Sequence, residues 1–309
     1  MSELRIMVTG ASSGIGACVA EQLAQRGHRV VGAARRTDAI AALPAVIPMA
    51  LDLADPASIE QATRLVDEKL GPLDVLINCA GYGEFGSIEE TPLDDGRRQM
   101  EVNTFGAVDL IQRVLPGMRS ASRGRIVNVS SLAGEFAAPL GGWYHASKFA
   151  LEAISDSLRG EVSQFGIDVT IVQPGYVATD WHEAAMSHLN RASGSGPYAP
   201  MVHAMTTYLA GDQVARQTSS VRAVADTVIK AALTGKPRTR YRVGPGASLA
   251  VAMATLLPDP IFDRLISNQF GYSRIEAATV AARTDEAGHA DPSHTPAGRS
   301  GVKTEKGFD

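Results

Sequence analysis

Cysteine is scarce in this chain of 309 residues, which contains only Cys18 and Cys79. The two have neither C-x-x-C spacing nor a nearby histidine, so a disulfide framework, a zinc site and a thiol nucleophile are all disfavoured. We expect both thiols to pack within regular structure. No set of His, Asp, Glu and Cys has the spacing of metal ligands, so the sequence predicts no bound metal.

Long apolar runs and an excess of basic residues are also lacking. No stretch approaches the roughly 18 apolar residues of a membrane span, and the opening MSELRIMVTG is typical of a strand and a turn rather than a secretory leader. The sequence therefore predicts a cytoplasmic protein. The net charge of -4 and the pI of about 6.0 disfavour nucleic acid and anionic membranes as partners and suit a small neutral ligand.

Short apolar runs alternate with helical patterns over most of the chain. The runs predict strands near 4–8, 28–33, 73–78, 125–130 and 168–173, and the helical patterns lie around 15–26, 57–70, 97–119 and 144–164. This order predicts an α/β fold with a single Rossmann-type, doubly wound parallel sheet flanked by helices. With 45% hydrophobic residues, the chain can bury one substantial core.

The pattern changes after Gly175. A segment rich in Met, His and Tyr comes first, followed by a predicted helix near 220–234, a strand near 238–244 and apolar helical stretches to about 282. We assign residues 1–282 to one domain and expect its part from about 181 to 215 to form a helical substrate lid. Residues 283–309 are polar and contain Gly, Pro and Ser, a composition typical of a disordered tail.

A glycine-rich turn, TGASSGIG at 9–16, follows the first strand and opens the first helix. Glycines let the backbone approach a pyrophosphate, and a helix N-terminus offers unpaired N–H groups and a partial positive charge. The spacing differs from the general G-x-G-x-x-G fingerprint, and such a turn alone is weak support, but its place between strand and helix favours a nucleotide site. The candidate cofactor-binding residues here are Gly10, Ser12, Ser13, Gly14, Ile15 and Gly16.

The end of the second strand bears on the choice between NAD and NADP. An enzyme that prefers NAD carries Asp or Glu there to bind the ribose 2′-hydroxyl, whereas this chain has Arg35 and Arg36. Guanidinium groups pair with a 2′-phosphate that an acid would repel, so the sequence favours NADP(H) over NAD(H). Asp38 is explained as the N-cap of a short helix. Asp52 and Leu53 close the predicted third strand, where they either border the adenine or start an ordinary turn.

Tyr144 and Lys148 stand four residues apart in GGWYHASKFAL, so on a helix they share one face. A phenol titrates near pH 10 and a nearby cation favours its ionised form, so the pair can make Tyr144 an acid or base closer to neutral pH. An amphipathic helix also produces this bare pattern by chance. The glycine-rich turn and an upstream serine pair favour the redox interpretation.

Several motifs together resemble a known family. TGASSGIG at 9–16, NCAG at 78–81, Asn103 in EVNTFGAVDL, the serine pair of IVNVSS, YHASK at 144–148 and PGYVATD at 174–180 occur in the order and spacing of short-chain dehydrogenases/reductases. The resemblance covers about residues 4–180. The remainder to about 282 is similar to the variable substrate-binding part of members like the 17β-hydroxysteroid dehydrogenases.

The resemblance implies a role for each matching catalytic position. Tyr144 would be the acid/base, and Lys148 would lower its pKa and contact the nicotinamide ribose. Ser131, thirteen residues before Tyr144, would orient the substrate, with Ser130 in reserve. Asn103 would position a water in a proton relay, although an Asn bonded to its helix backbone explains that residue as well.

The resemblance also implies cofactor contacts beyond the turn. Thr179 would hydrogen-bond the nicotinamide carboxamide. The family's usual Asn-Asn-Ala-Gly has Cys79 at its second position here, which puts one local hydrogen bond in doubt. The candidate residues in these two motifs are Asn78, Ala80, Gly81, Pro174, Gly175, Val177 and Thr179.

The implied activity is an NADP-dependent oxidoreductase that transfers hydride between nicotinamide and a carbonyl or secondary alcohol. Because small-molecule pockets are mostly apolar, we expect an apolar ketone or alcohol substrate. A reductase of polar sugar-like or acyl-carrier substrates, and a non-catalytic protein that senses NADP, remain alternatives. The resemblance further implies a homodimer or homotetramer formed through the helices at 97–119 and 144–164.

Overall fold

The computed structural model describes residues 2–275 and 277, and seven of its segments are strands. They are β1 (Arg5–Thr9), β2 (Arg29–Ala34), β3 (Val46–Ala50), β4 (Val75–Asn78), β5 (Gly124–Val129), β6 (Ile167–Pro174) and β7 (Arg240–Val243). All pair in parallel, in the order β3-β2-β1-β4-β5-β6-β7. The order reverses between β1 and β4, which creates a crevice at the carboxyl ends of these two strands.

Helices connect the strands and cover both faces of the sheet. Within the described residues they are α1 (Gly14–Gln25), α2 (Thr37–Ala41), α3 (Pro56–Leu70), α4 (Leu93–Met100), α5 (Gly106–Ser120), α6 (Gly142–Val162), α7 (Trp181–Ser193), α8 (Ala199–Leu209), α9 (Asp212–Gln217), α10 (Val221–Leu233), α11 (Ala247–Leu256) and α12 (Asp259–Phe270). The predicted doubly wound α/β fold is therefore confirmed.

The alternation of side chains along the central strands divides the core into two layers. Met7 and Leu76 pack with residues of α3, α5 and α6 on one face of the sheet. Their neighbours Val8 and Ile77 pack with residues of α1 and α10 on the other face. Since successive side chains of a strand point to opposite faces, strands covered on both sides are apolar throughout, as the sequence runs predicted.

The helix predicted over 97–119 was wrong as a single regular element. It begins earlier, at Leu93, and a π-helical segment (Glu101–Phe105) separates α4 from α5. Two side chains of that segment bond to α6: Nδ2 of Asn103 lies 3.1 Å from Oγ of Ser147, and Oγ1 of Thr104 donates to the Ser147 carbonyl at 3.0 Å. These contacts with another helix stabilise the irregular turn. Hydrophobic periodicity could not predict it, because the periodicity depends only on neighbouring residues in the chain.

Two smaller predictions about turns also need correction. The third strand stops at Ala50, short of Asp52, because the Asp52 carboxylate accepts a hydrogen bond from the Ala54 N–H (3.0 Å) and turns the chain. Asp38 is not an N-cap: Arg36 occupies the N-cap of α2, and Asp38 lies within its first turn.

The C-terminal elements follow the predicted order. The segment expected to be a lid is helical and contains α7, α8 and α9, which end slightly later, at Gln217, and α10 and β7 match the predicted helix and strand. The predicted tail at 283–309 lies outside the described residues. No helix in the described part of the chain is long and apolar enough to cross a membrane.

Candidate active site

The carboxyl ends of β1 and β4 are joined by a buried threonine. Oγ1 of Thr9 accepts hydrogen bonds from the backbone N–H groups of Cys79 and Ala80, each at 3.0 Å. Gly10 follows in the left-handed region (φ +70°), and a Cβ added there would lie 2.8 Å from Cα of Ala80. The turn after β1 therefore packs directly on the loop after β4, and only glycine fits this close approach.

Helix α1 begins at this turn without a side-chain cap. Ser13 is its N-cap in an extended conformation, and no side chain bonds the first N–H groups of the helix. Those groups are free to bind an anion. The turn also meets the segment after β6, since a Cβ on Gly14 would lie 3.4 Å from Cγ2 of Thr179. The structure thus brings the two ends of the predicted cofactor site together.

Arginines border the same crevice at the end of β2. Arg35 and Arg36 are exposed and line the cavity, and Nη2 of Arg36 lies 3.4 Å from Oγ of Ser12. Asp52 and Leu53 line the neighbouring wall. The predicted residues of the second and third strands are therefore adjacent to the glycine-rich turn.

The NCAG segment divides between the cavity wall and the core. Ala80 and Gly81 line the cavity. Asn78 does not: its buried Nδ2 donates to Oδ1 of Asn128 on β5 at 2.9 Å, which ties β4 to β5 below the crevice. Cys79 is a free thiol that packs against the core, and burial raises its pKa to about 12, so it is a neutral wall group.

Tyr144 and Lys148 lie on the buried face of α6, and both line the cavity. The Lys148 Nζ stands 6.0 Å from the centre of the Tyr144 ring and donates to the Val129 carbonyl at 3.0 Å. Ser131 caps a short turn after β5, where its Oγ accepts from the Ala133 N–H at 3.1 Å, and it interacts with the Tyr144 phenol so as to lower the pKa of that group. Ser130 also lines the cavity, and its Oγ lies beside Gly134 of that short turn, 3.0 Å from where a Cβ would stand.

The pKa of Tyr144 departs from the sequence-based expectation. Burial raises it to about 12, and the hydrogen bond with Ser131 offsets only part of that rise. The pKa of Lys148 is lowered to about 8, again by burial, with Cys79 and Glu152 acting in the opposite direction. The expected shift of the phenol toward neutral pH is therefore wrong for the protein alone, because desolvation outweighs the interaction with Ser131.

Asn103 lies behind the cavity wall rather than on it. Its Nδ2 donates to the Tyr82 carbonyl at 2.9 Å, and its Oδ1 accepts from the Tyr82 N–H at 3.1 Å. A Cβ on Gly81 would stand 3.2 Å from Oδ1 of Asn103 and 3.6 Å from Nζ of Lys148. The amide and the ammonium thus flank one glycine, as a relay through both would require.

Aromatic rings surround the phenol. The Tyr144 ring centre lies 5.5 Å from that of Phe85 and 5.1 Å from that of Trp181, the first residue of α7. Sequence reasoning missed Phe85, whose position four residues after the NCAG motif is the one available signal. These rings keep water away from the Tyr144 side chain, which is 9% exposed.

Polar contacts anchor the far end of α7 to the loop after β4. Nδ1 of His188 lies 2.6 Å from Oε2 of the buried Glu84, and Nη2 of Arg191 lies 3.5 Å from its Oε1. The Ser87 N–H donates to Oγ of Ser193 at 2.9 Å. Helix α7 therefore connects the segment after β6 with the loop after β4, and its residues Trp181, His182 and His188 line the cavity.

One cavity of about 1630 Å³ connects these groups. Every candidate site residue from the sequence lines it except Asn78 and Asn103. Apolar residues of α11 and α12 also line it, within the part that the resemblance assigned to substrate binding, although the sequence did not single them out: Leu249, Met253, Phe262, Leu265 and Ile266. In the described part of the chain, no group of three or more His, Cys, Asp or Glu side chains is placed to hold a metal ion.

Fold and site together define a class of protein. A glycine-rich turn at the switch point of a doubly wound sheet, with a Tyr-Ser-Lys group on the same cavity, is the arrangement of a dinucleotide-dependent oxidoreductase. The family model described as short chain dehydrogenase matches residues 5–190. The chain belongs to the short-chain dehydrogenase/reductase family, which confirms the resemblance, and it is an oxidoreductase acting on CH–OH or carbonyl groups.

Individual proteins agree with this assignment. The chain is 33% identical over 261 residues to a probable short-chain type dehydrogenase/reductase, VdlC, of Helicobacter pylori, covering 84% of this chain and 95% of that protein. It is 31% identical over 274 residues to the NADPH-dependent 3-dehydrocapnine reductase of Ornithobacterium rhinotracheale, covering 84% and 94%. A short-chain dehydrogenase structure from Streptomyces avermitilis superposes with a TM-score of 0.68 at 29% identity, covering 94% and 99%.

Proposed function

We propose that the protein is an NADP-dependent reductase or dehydrogenase of small apolar ketones or secondary alcohols, with Tyr144 as the acid/base. One observation carries the proposal: the Tyr144 side chain, the dinucleotide turn and the apolar residues of α11 and α12, here called the apolar chamber, all line one continuous cavity. A carbonyl in the chamber would then have a proton donor on one side and a nicotinamide on the other.

The residues around the crevice fit a nicotinamide dinucleotide. The backbone at Gly10 leaves no room for a side chain, and the uncapped start of α1 suits a pyrophosphate. Arg35 and Arg36 would hold the 2′-phosphate of NADP, and Asp52 and Leu53 would border the adenine. The wall that includes Ala80, Gly81, Pro174, Gly175, Val177 and Thr179 would hold the nicotinamide half. When bound, the nicotinamide supplies or accepts the hydride.

The 2′-phosphate distinguishes NADP from NAD, so the groups that bind it would determine which cofactor the protein prefers. The two arginines stand where an acidic residue would bind the 2′-hydroxyl of NAD, and one of the similar proteins, the 3-dehydrocapnine reductase, is NADPH-dependent. Charged hydrogen bonds between guanidinium and phosphate are strong because both groups are ionised.

The side chains of the site would orient the substrate oxygen and deliver a proton to it. In the reductive direction, Ser131 and Tyr144 hydrogen-bond the substrate oxygen, and the Tyr144 O–H gives its proton to that oxygen as negative charge develops there. The Lys148 ammonium stabilises the phenolate that remains. Since burial holds the Tyr144 pKa at about 12, the phenol is protonated at neutral pH, which favours the reductive role.

The apolar chamber supports the substrate class. None of the residues of α11 and α12 that line the cavity is charged, and the large apolar ones include Leu249, Met253, Phe262 and Ile266. Helix α7 would act as the lid. A polar sugar-like or acyl-carrier substrate would require several charged or amide groups along this wall, whereas Gln269 is the one amide that α11 and α12 contribute to it. A non-catalytic sensor would have no need for Tyr144, Ser131 and Lys148 to converge.

Titration of the purified protein with NADPH and NADH, followed by turnover on aliphatic, aromatic and steroidal ketones, tests the proposal. We expect tighter binding of NADPH and turnover on one chemical class of ketone. Binding without turnover on any ketone, or on the matching alcohols with NADP⁺, would favour the sensor. Turnover confined to sugar-like or acyl-carrier substrates would favour the polar alternative.

We also infer a homodimer or homotetramer formed through α5 and α6. Two large apolar side chains support this interface: Phe105, directly before α5, is 53% exposed, and Phe149 on α6 is 43% exposed. Light scattering on the wild type and on Phe105→Glu measures the mass in solution. A wild-type protein with the mass of one chain would contradict the inference.

A further inference from the structure

A line of alternating charges extends from the edge of the sheet to the candidate active site. Lys148 and Glu152 are both buried and stand one turn apart on the same face of α6. Arg240, on the edge strand β7, places its Nε 3.1 Å from Oε2 of Glu152. The sequence from the edge inward is thus cation, anion, cation, and then the Tyr144 phenol.

The carboxylate of Glu152 is fixed from several sides. Nε2 of Gln173, on β6, donates to its Oε1 at 2.9 Å, in addition to the contact with Arg240. Arg240 also pairs with Asp156, one turn further along α6 (2.6 Å), and lies 3.7 Å from Glu135. Glu152 is 5% exposed, so its negative charge is neither mobile nor screened by bulk water.

The ammonium of Lys148 has few other partners. It donates one hydrogen bond, to the Val129 carbonyl of β5. From the loop after β4 it faces Cys79, a thiol that burial keeps neutral, and from the π-helical segment it faces the uncharged Asn103. On α6 it faces Tyr144, a neutral phenol. Glu152 is therefore the anion that acts on it.

We propose that Glu152 is a positioning residue for the reaction: its fixed carboxylate keeps the Lys148 side chain charged beside Tyr144. The inference rests on the proposed function, in which the Lys148 ammonium stabilises the Tyr144 phenolate. Arg240 acts one step further away, because its charge and the hydrogen bond from Gln173 keep Glu152 ionised in a buried place.

The electrostatics of the site support this arrangement. Burial lowers the pKa of Lys148 to about 8, and Cys79 and Glu152 oppose that decrease. Burial also raises the pKa of Glu152, and the hydrogen bonds to its carboxylate and the charge of Arg240 oppose that increase. Without the carboxylate, a larger share of Lys148 would be neutral at physiological pH, and the phenolate would lose its counter-charge.

The decisive experiment is the pH profile of kcat and kcat/KM for Glu152→Gln and for Asp156→Asn. Glutamine keeps the size of the side chain and the acceptor for Gln173 but removes the charge. The wild type should lose activity as pH rises through about 8, where Lys148 deprotonates. We expect Glu152→Gln to move this alkaline limb to lower pH by roughly one unit.

Asp156→Asn is the matched control, because it also removes a carboxylate paired with Arg240 but lies two turns from Lys148. Its alkaline limb should stay at the wild-type pH. Equal shifts in both variants, or no shift in Glu152→Gln, would overturn the inference. Arg240→Met removes the cation that keeps Glu152 ionised, so it should also move the alkaline limb to lower pH. Combined with Glu152→Gln, it should add no further shift.

Tyr144→Phe in the same assay separates this inference from the proposed function. If Tyr144→Phe retains turnover, the proposed acid/base is wrong whatever the Glu152 variant does. If Tyr144→Phe loses turnover while Glu152→Gln keeps the profile of the wild type, the acid/base role stands and the role of Glu152 does not. Should Glu152→Gln fail to fold, the profile of Arg240→Met decides the question in its place.

Discussion

Gly10 and Ala80 approach so closely that a Cβ on the glycine would stand 2.8 Å from Cα of the alanine. The two residues follow β1 and β4, the neighbouring strands at which the order of the sheet reverses. Their contact joins the turn proposed for the pyrophosphate to the loop proposed for the nicotinamide half. A change at Gly10 therefore affects the fold and the cofactor site together.

Gly10→Ala should abolish NADPH binding and lower the free energy of unfolding by more than about 2 kcal/mol. The new methyl group collides with backbone at Ala80, and the positive φ adds strain of its own. Denaturant unfolding and NADPH fluorescence measure the two effects. Gly27→Ala is the control: it shares a positive φ (+83°) but has nothing within 4 Å of the new Cβ, so it should bind NADPH normally.

Tyr144→Phe should lower kcat by roughly 10²- to 10⁴-fold, because the site loses the group that gives its proton to the substrate oxygen. NADPH binding should persist, since the ring stays packed against Phe85 and Trp181. Single-turnover kinetics with a reactive ketone provide the measurement. Tyr82→Phe serves as control, because the buried Tyr82 hydroxyl lacks a partner within the described residues. Comparable losses in both variants would contradict the assignment.

Arg35→Ala should weaken NADPH binding by roughly 10- to 100-fold and leave NADH binding almost unchanged. The lost interaction is a charged hydrogen bond to the 2′-phosphate, a group that NADH lacks. Fluorescence titrations with both nucleotides give the ratio of the two dissociation constants. Arg97→Ala, an exposed arginine paired with Asp94 outside the cavity, should change neither. An equal effect of Arg35→Ala on both nucleotides would rule out the 2′-phosphate role.

Lys148→Met should stabilise the fold at pH 7 by about 1 to 3 kcal/mol while it removes activity. Burial lowers the folded-state pKa of Lys148 to about 8 from an ordinary 10.5, so the unfolded chain binds this proton more tightly. The destabilisation is complete below about pH 8 and fades as pH rises toward 10.5. Part of the gain is offset because Glu152 loses its neighbouring cation.

Urea unfolding at pH 7 and pH 10 checks this prediction, with the difference between variant and wild type smaller at the higher pH. Lys69→Met, at an exposed site in the last turn of α3, is the control and should show no such pH-dependent gain. A Lys148→Met protein less stable than the wild type at pH 7 would mean that the ammonium contributes more through its hydrogen bond to Val129 than burial costs.

The sequence predicted most of the order of elements and the separate parts of the site. The apolar runs located the central strands because parallel strands covered on both faces are apolar throughout. The positions of Gly10 and Gly14, of Tyr144 and Lys148, and of Arg35 were predicted because local spacing and chemistry determine them. These features depend on neighbours in the chain, so a linear pattern records them.

Other features depend on contacts between distant segments, and only the tertiary structure decided them. The π-helical turn at Asn103 exists because side chains of that segment bond to Ser147 on α6. The raised pKa of Tyr144 follows from burial beneath Phe85 and Trp181, which the four-residue spacing to Lys148 could not reveal. Likewise Arg240 meets Glu152 across 88 positions of sequence because β7 joins the sheet beside β6. The chain determined by itself which groups are present and which local elements carry them, whereas packing determined their distances, their hydration and hence their charge.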